Sequence, residues 1–184
     1  MPLKTPQITT KRLLLRSLEM SDGPQIKKLA GDKAIADTTL NIPHPYEDGV
    51  AEKWIEWYQE KFEAGESLTC AIVLKSTQKL IGVIELKIEK KFNNAELGYW
   101  VAKEYWNKGY CTEAAEAMLK YGFTTLNLHR IYASYFSRNP ASGKVMEKLG
   151  MKKEGLFREH VLKWDRYEDL VYYGILRTEW EAGT

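Results

Sequence analysis

The chain has 184 residues, 44% of them hydrophobic, enough for one domain with a substantial core and too few for two comfortable ones. A formal net charge of +2, from 27 basic and 25 acidic side chains interspersed along most segments, is too small to imply a nucleic-acid or membrane surface, and neither is an expected partner. Cys70 and Cys111 lack metal or disulfide spacing, the start Met1-Pro2-Leu3-Lys4-Thr5 lacks the apolar core of a secretion signal, and no apolar run reaches membrane-spanning length. The expectation is a soluble, cytoplasmic protein with reduced thiols and no metal.

Arg12 to Leu18, with Leu13, Leu15 and Leu18 among charged neighbours, predicts a first strand, and Ser21-Asp22 an N-cap for a helix to about Ala30. Pro43, His44 and Pro45 make the segment from Gly31 to Asp48 a loop between helices. Val50, Trp54, Trp57, Tyr58 and Phe62 then keep helical spacing until Gly65, and this aromatic face reads as core packing. Leu68 to Leu74 and Leu80 to Glu89 form a hairpin. In its second strand Ile84, Leu86 and Ile88 alternate with Glu85, Lys87 and Glu89, which puts Glu85 on a solvent face. A third antiparallel strand, Ala95 to Val101, leads through a loop to a helix whose Ala115, Met118, Leu119, Gly122 and Phe123 recur at helical steps. A strand from Arg130 to Phe136, a short helix from Asn139 to Leu149 capped by Gly150, and strands 152–161 and 168–176 complete a single α/β domain over 1–184.

The loop before the central helix reads as an anion site. Lys108, Gly109, Tyr110, Cys111 and Thr112 would present backbone N–H groups at the positive end of that helix, and Gly109 lets the backbone approach a phosphate or pyrophosphate closely. It is neither a P-loop nor a dinucleotide fingerprint, because no Lys-Ser or Lys-Thr follows Gly109 and the spaced glycines are absent.

The context is more specific: Glu96-Leu97-Gly98-Tyr99-Trp100-Val101, then Tyr105-Trp106-Asn107-Lys108-Gly109-Tyr110-Cys111-Thr112-Glu113-Ala114, then Asn139-Pro140-Ala141-Ser142 and Leu149-Gly150-Met151. This pattern resembles the GNAT superfamily of acetyl-CoA-dependent N-acetyltransferases, and within it the ribosomal-protein N-terminal acetyltransferases of the RimJ and RimL type. Trp106, Gly109 and Cys111 fall at the three specified places of the superfamily's [Q/R]-x-x-G-x-[G/A] loop. Cys111 is small enough to replace Ala, whereas Trp106 departs from the hydrogen-bonding Gln or Arg. The resemblance implies the GNAT fold, a mixed, mostly antiparallel seven-stranded sheet with helices on both faces. In it the strands ending at Val101 and beginning near Arg130 run parallel and splay to admit the pantetheine arm of CoA. It further implies cofactor contacts from Trp100, Val101, Asn107, Lys108, Gly109, Tyr110, Cys111, Thr112, Asn139 and Ser142, and a homodimer.

Acetyl transfer to an amine requires an uncharged nucleophile, stabilisation of an oxyanion, and a proton for the departing thiolate. Glu96, beside the expected acetyl site, is the first candidate base; Glu85 is the second, an ordered water the third, and a solvated strand carboxylate the alternative reading of Glu96. A backbone N–H at Trp100 or Val101 would meet the oxyanion. Ser142 would protonate the thiolate and Asn139 bond the pantetheine amide, although Asn-Pro-Ala-Ser is also helix-starting sequence. Cys111 has no nearby His to activate it as a nucleophile, and His44, His129 and His160 form no ligand cluster. The expected acceptor is the N-terminal α-amine of a ribosomal or other protein. The alternatives are a small amine (polyamine, amino acid or antibiotic) and a non-catalytic CoA-binding module.

Overall fold

A computed structural model describes residues 6–183; the segment Met1 to Thr5 that was inspected above for a secretion signal lies outside the described residues. The elements in order are β1 (Ile8–Thr9), β2 (Leu13–Ser17), α1 (Gly23–Ala30), α2 (Lys33–Thr38), α3 (Val50–Glu63), β3 (Ser67–Leu74), β4 (Leu80–Glu89) and β5 (Asn94–Val101). They continue with α4 (Tyr110–Thr124), β6 (Arg130–Phe136), α5 (Pro140–Lys148), β7 (Lys152–Lys163), β8 (Arg166–Leu176) and α6 (Arg177–Gly183). The strands form one sheet in the order β1-β2-β3-β4-β5-β6-β8-β7, with every pairing antiparallel except β5 with β6.

Successive strand residues face opposite sides, so the sheet carries two cores. On one face Leu15, Ile72, Ile84, Leu86 and Leu97 pack with Ala115, Met118, Leu119 and Phe123 of α4. On the other, Ala71, Val73 and Val83 pack with Ile26 and Leu29 of α1 and Ala51 and Ile55 of α3. Covered on both sides, β3 is buried along its whole length. The GNAT fold expected from the resemblance is the fold observed.

Several expectations need correction. Among the described residues the sheet has eight strands rather than seven, because Ile8 and Thr9 pair with Leu15 and Leu14 over a stretch too short to show periodicity. Residues 31–48 are not all loop: Asp32 accepts a hydrogen bond from the Ala34 N–H at 2.8 Å and starts α2, which buries Ile35 and Ala36. Asp22 does not cap α1 through its side chain; that carboxylate accepts two bonds from Arg16, at 2.8 and 2.9 Å, and one from the Glu19 N–H. The aromatic face of α3 is only in part its core face, with Trp54 and Phe62 packed against the two cores. Ala51 and Ile55 are the buried residues, Trp54 and Tyr58 are half-buried, and Trp57 is 46% exposed. A last helix, α6, was not anticipated, and its Trp180 lies 5.4 Å from Phe123. Among the described residues no helix is long and apolar enough to cross a membrane.

Candidate active site

Parallel pairing between β5 and β6 holds only at Asn94 with Arg130, Ala95 with Ile131 and Glu96 with Tyr132. Beyond Glu96, β5 runs to Val101 and β6 to Phe136 without pairing to each other, so a gap opens in mid-sheet. The direction of the free backbone groups follows from alternation along the strand. The Ala102 N–H donates to the Ile81 carbonyl at 2.8 Å, and a Cβ added at Gly82 would lie 2.2 Å from the Trp100 oxygen. Trp100 and Ala102 therefore turn their polar groups to β4, while those of Leu97, Tyr99 and Val101 turn to the gap. Of the two expected oxyanion donors, only Val101 has its N–H on the open side. Its carbonyl accepts the indole N–H of Trp106 at 2.6 Å. Trp106 does not bond as a Gln or Arg would, but its ring nitrogen ties the loop to the end of β5.

At the head of the gap, Gly109 precedes α4 with φ 76°, and Asn107 has φ 59°, conformations that Gly and Asn adopt at low cost. No side chain caps α4 at Gly109, and helix geometry leaves the N–H groups of Gly109, Tyr110, Cys111 and Thr112 without an intrahelical acceptor. Glu113 in the first turn would oppose an anion, yet its carboxylate accepts from the Thr10 hydroxyl at 2.7 Å, the Arg12 N–H at 2.7 Å and Arg12 Nε at 2.6 Å. Burial pushes that carboxyl up, and these bonds outweigh it and hold it below its ordinary value. Arg12 also donates to the Lys108 carbonyl at 2.9 Å and stacks on Tyr110 at 4.3 Å. Arg12 thus braces the loop and neutralises Glu113, a role the sequence reading missed. The Lys108 ammonium turns back to the Glu104 carbonyl at 2.8 Å. Burial pushes the Cys111 thiol up to about 12, which keeps it protonated and unsuited to attack.

On the α4 side of the gap, Asn139 stands at the N-cap of α5 but makes no capping bond with its side chain. Its amide is therefore not spent on its own helix. Ser142 Oγ lies 3.0 Å from the Tyr99 hydroxyl, which also donates to the Ser142 carbonyl at 3.1 Å. Burial raises the Tyr99 phenol, so it stays a neutral donor. Tyr99 went unnoticed in the sequence because nothing local marks it as Ser142's partner.

The opposite face holds the two carboxylates. Glu96, the last β5 residue with a β6 partner, accepts a long bond from Ser134 at 3.5 Å. Its charge is felt by the phenols of Tyr132 and Tyr172, both raised first by burial. Glu85 is not on an open solvent face: it is half-buried and accepts from the Tyr58 hydroxyl at 2.6 Å and from Ser67 Oγ at 3.0 Å. Alternation located its face correctly, but α3 covers that face. Beyond the carboxylates, Arg138 donates to Asp37 and to Glu168, both at 2.8 Å, and Lys163 donates to the Leu40 and Ile42 carbonyls at 3.0 and 2.8 Å. Lys163 thereby ties the end of β7 to the segment after α2, and Arg138 bridges α2 to β8.

No group of three or more His, Cys, Asp or Glu able to hold a metal occurs among the described residues. Residues 12–152 match the acetyltransferase (GNAT) domain. The uncharacterized N-acetyltransferase YnaD of Bacillus subtilis (strain 168) is 34% identical over 174 residues, 94% of this chain and 98% of that protein. The ribosomal protein uS5-alanine N-acetyltransferase of Escherichia coli (strain K12) is 30% identical over 108 residues, 58% of this chain and 56% of that protein. The crystal structure of a Vibrio cholerae spermidine N-acetyltransferase in complex with CoA and spermine superposes with a TM-score of 0.80 at 28% identity, covering 94% of this chain and 99% of that one. With a splayed parallel strand pair, a helix headed by a left-handed glycine and a domain match over most of its length, the chain belongs to the GNAT family of N-acetyltransferases.

Proposed function

We propose that this chain is a single catalytic domain that acetylates a primary amine from acetyl-CoA in the cytoplasm, and that its preferred acceptor is the α-amine of a protein N-terminus. The observation that carries the reading is the gap between β5 and β6, open from Glu96 onward and headed by the uncapped N-terminus of α4. The residues present fit the group. A Cβ at Gly109 would meet only Arg12 Nη2, at 3.4 Å, so the backbone there is open to a pyrophosphate. Gly109 to Thr112 would hold it, with Asn107 and Lys108 shaping the turn. Asn139 and the free edge of β5 would hold the pantetheine amides. When bound, acetyl-CoA supplies an acetyl thioester ready for attack.

The chain's own groups supply the rest. Val101 N–H stands where a carbonyl drawn into the gap would find a donor, and such donors are worth about 2.7–4 kcal/mol in acyl transfer. Ser142, oriented by Tyr99, offers a hydroxyl proton at the thiol end. Glu96, where the gap begins, would attract an incoming ammonium. An α-amine ionises near 7.7–8.0 and a lysine near 10.4, so neutralising the former costs roughly 3.4 kcal/mol less. The relative that acts on ribosomal protein uS5 supports the N-terminal acceptor. The spermidine enzyme, together with two carboxylates on the acceptor face, supports a polyamine as the second reading.

The test is a product-mass assay with acetyl-CoA. Its substrates are a peptide with a free N-terminus and no lysine, the same sequence blocked and carrying one lysine, and spermidine. The first reading expects fastest acetylation of the free N-terminus; preferential turnover of spermidine makes the protein a polyamine acetyltransferase, and CoA binding without any acetylation leaves only a binding module.

A further inference from the structure

Glu85 is paired across β4 and β5 with Gly98, and beside the position of a Gly98 side chain there is nothing within 4 Å. Alternation places Glu96 and Trp100 on the same face as Gly98, so the exposed Gly98 leaves open space with Glu85 across the strand pair and Glu96 along the strand. Gly98 lies just past the point where β5 and β6 part, after Glu96 and Tyr132. Glu85 is the more rigidly held of the two carboxylates. Tyr58 from α3 and Ser67 from β3 each donate to a different oxygen, and Ser67 Oγ is itself 2.8 Å from Thr69 Oγ1. Each Glu85 oxygen keeps acceptor capacity, and the neighbouring glycine leaves room for an ammonium group to reach it.

We infer that Glu85, oriented by Tyr58 and Ser67, docks the acceptor ammonium over Gly98 and takes its first proton, with Glu96 as the second wall of the same cation site. The assignment rests on the amine-acetylation reading above. One proton passes from R–NH3+ to the Glu85 carboxylate and then to solvent. The freed lone pair forms the C–N bond as the C–S bond breaks, and the amine's second proton leaves with the thiol. The net products are the amide, the free thiol and one proton.

The surroundings suit that task. Burial raises the Glu85 carboxyl above its ordinary value, against the bonds from Tyr58 and Ser67 and the nearby charge of Lys87, while Glu96 adds to the rise. Tyr58 is itself raised by burial and by Glu85, and so remains a neutral donor. Tyr58 stabilises the ionised form of Glu85, so its loss moves the ionisation to higher pH.

The experiment records kcat/KM against pH for wild type, Tyr58→Phe, Glu85→Gln and Glu96→Gln, using acetyl-CoA with an alanine-initiated peptide and with spermidine. The amine's own ionisation is common to all four proteins. Glu85→Gln is expected to lower kcat/KM by about 100-fold or more, and Tyr58→Phe to move the acid limb up by roughly one pH unit while keeping most of the high-pH rate. Carboxyl 13C NMR of the protein alone should show one glutamate, absent in Glu85→Gln, titrating above the others and higher still in Tyr58→Phe. A Glu85→Gln rate within twofold of wild type, or an unmoved limb in Tyr58→Phe, overturns the assignment while leaving amine acetylation intact. Should Glu85→Gln fail to fold, the Tyr58→Phe limb alone decides. If wild type turns over neither amine, this inference falls together with the reading it rests on.

Discussion

Replacing Gly109 separates the strain of the loop from its use. At φ 76° any L-residue costs about 1–2 kcal/mol, which in a chain of this length lowers Tm by about 2–8 °C. Because an added Cβ would meet only the end of the Arg12 side chain, at 3.4 Å, the protein itself has room for a substituent. The space a larger side chain enters is the one a pyrophosphate needs. An indole there would displace the anion from the N–H groups of Gly109 to Thr112. Losing two charge-assisted hydrogen bonds, each worth about 1.5–3 kcal/mol, weakens binding by roughly 3–6 kcal/mol, or about 10²–10⁴-fold in Kd. Gly109→Ala should show a similar melting loss with affinity within about tenfold of wild type, and Gly109→Trp should show both losses. Scanning calorimetry and titration with CoA measure the two effects separately. A folded Gly109→Trp protein that binds CoA as tightly as wild type would refute the anion-loop argument.

Gly82→Ala should be costly for a different reason: its Cβ would lie 2.2 Å from the Trp100 oxygen and 2.9 Å from Val101 Cα, backbone atoms that cannot rotate away. We expect a stability loss of about 1–3 kcal/mol in chemical denaturation and a lower acetylation rate as Val101 N–H shifts; unchanged stability and rate would contradict that placement. Tyr99→Phe removes the hydroxyl that meets Ser142 Oγ, so thiol release at saturating substrates should slow by about 10²-fold with CoA affinity unaltered, and an unaffected rate would remove Tyr99 and Ser142 from the proton path. Glu113 has a folded-state value below its unfolded one, near 4.3, so its stabilisation is complete above that pH and is lost as pH falls through the folded value. Denaturation midpoints of wild type and Glu113→Gln should therefore differ most near neutrality and converge in acid; a constant difference would detach the effect from ionisation.

The elements that the sequence alone determined are those whose signal is local. Strand β4 from Leu80 to Glu89 and strand β6 from Arg130 to Phe136 were legible from alternation and bounding polar residues, and α4 from its period of buried Ala115, Met118, Leu119 and Phe123. Gly109 was legible as the residue heading α4 because it stands just before the helical period and has no Cβ to keep a ligand from the backbone. The parallel splay came through resemblance and not through periodicity, since no local pattern states which strand lies beside β5.

What the tertiary structure decided are the partners. Arg12 reaches Glu113 across 101 positions, Tyr99 reaches Ser142 across 43, and Tyr58 reaches Glu85 across 27. Periodicity assigned Glu85 to the correct face of β4 but could not tell that α3 lies over it, and so read an enclosed carboxylate as a solvated one. Likewise β1 exists because Ile8 and Thr9 find the open edge of β2, a stabilisation that two residues cannot signal on their own. Alternation and helical period are properties of a residue's near neighbours, whereas burial, ionisation and hydrogen-bond partners depend on which distant segments the packed sheet brings against it.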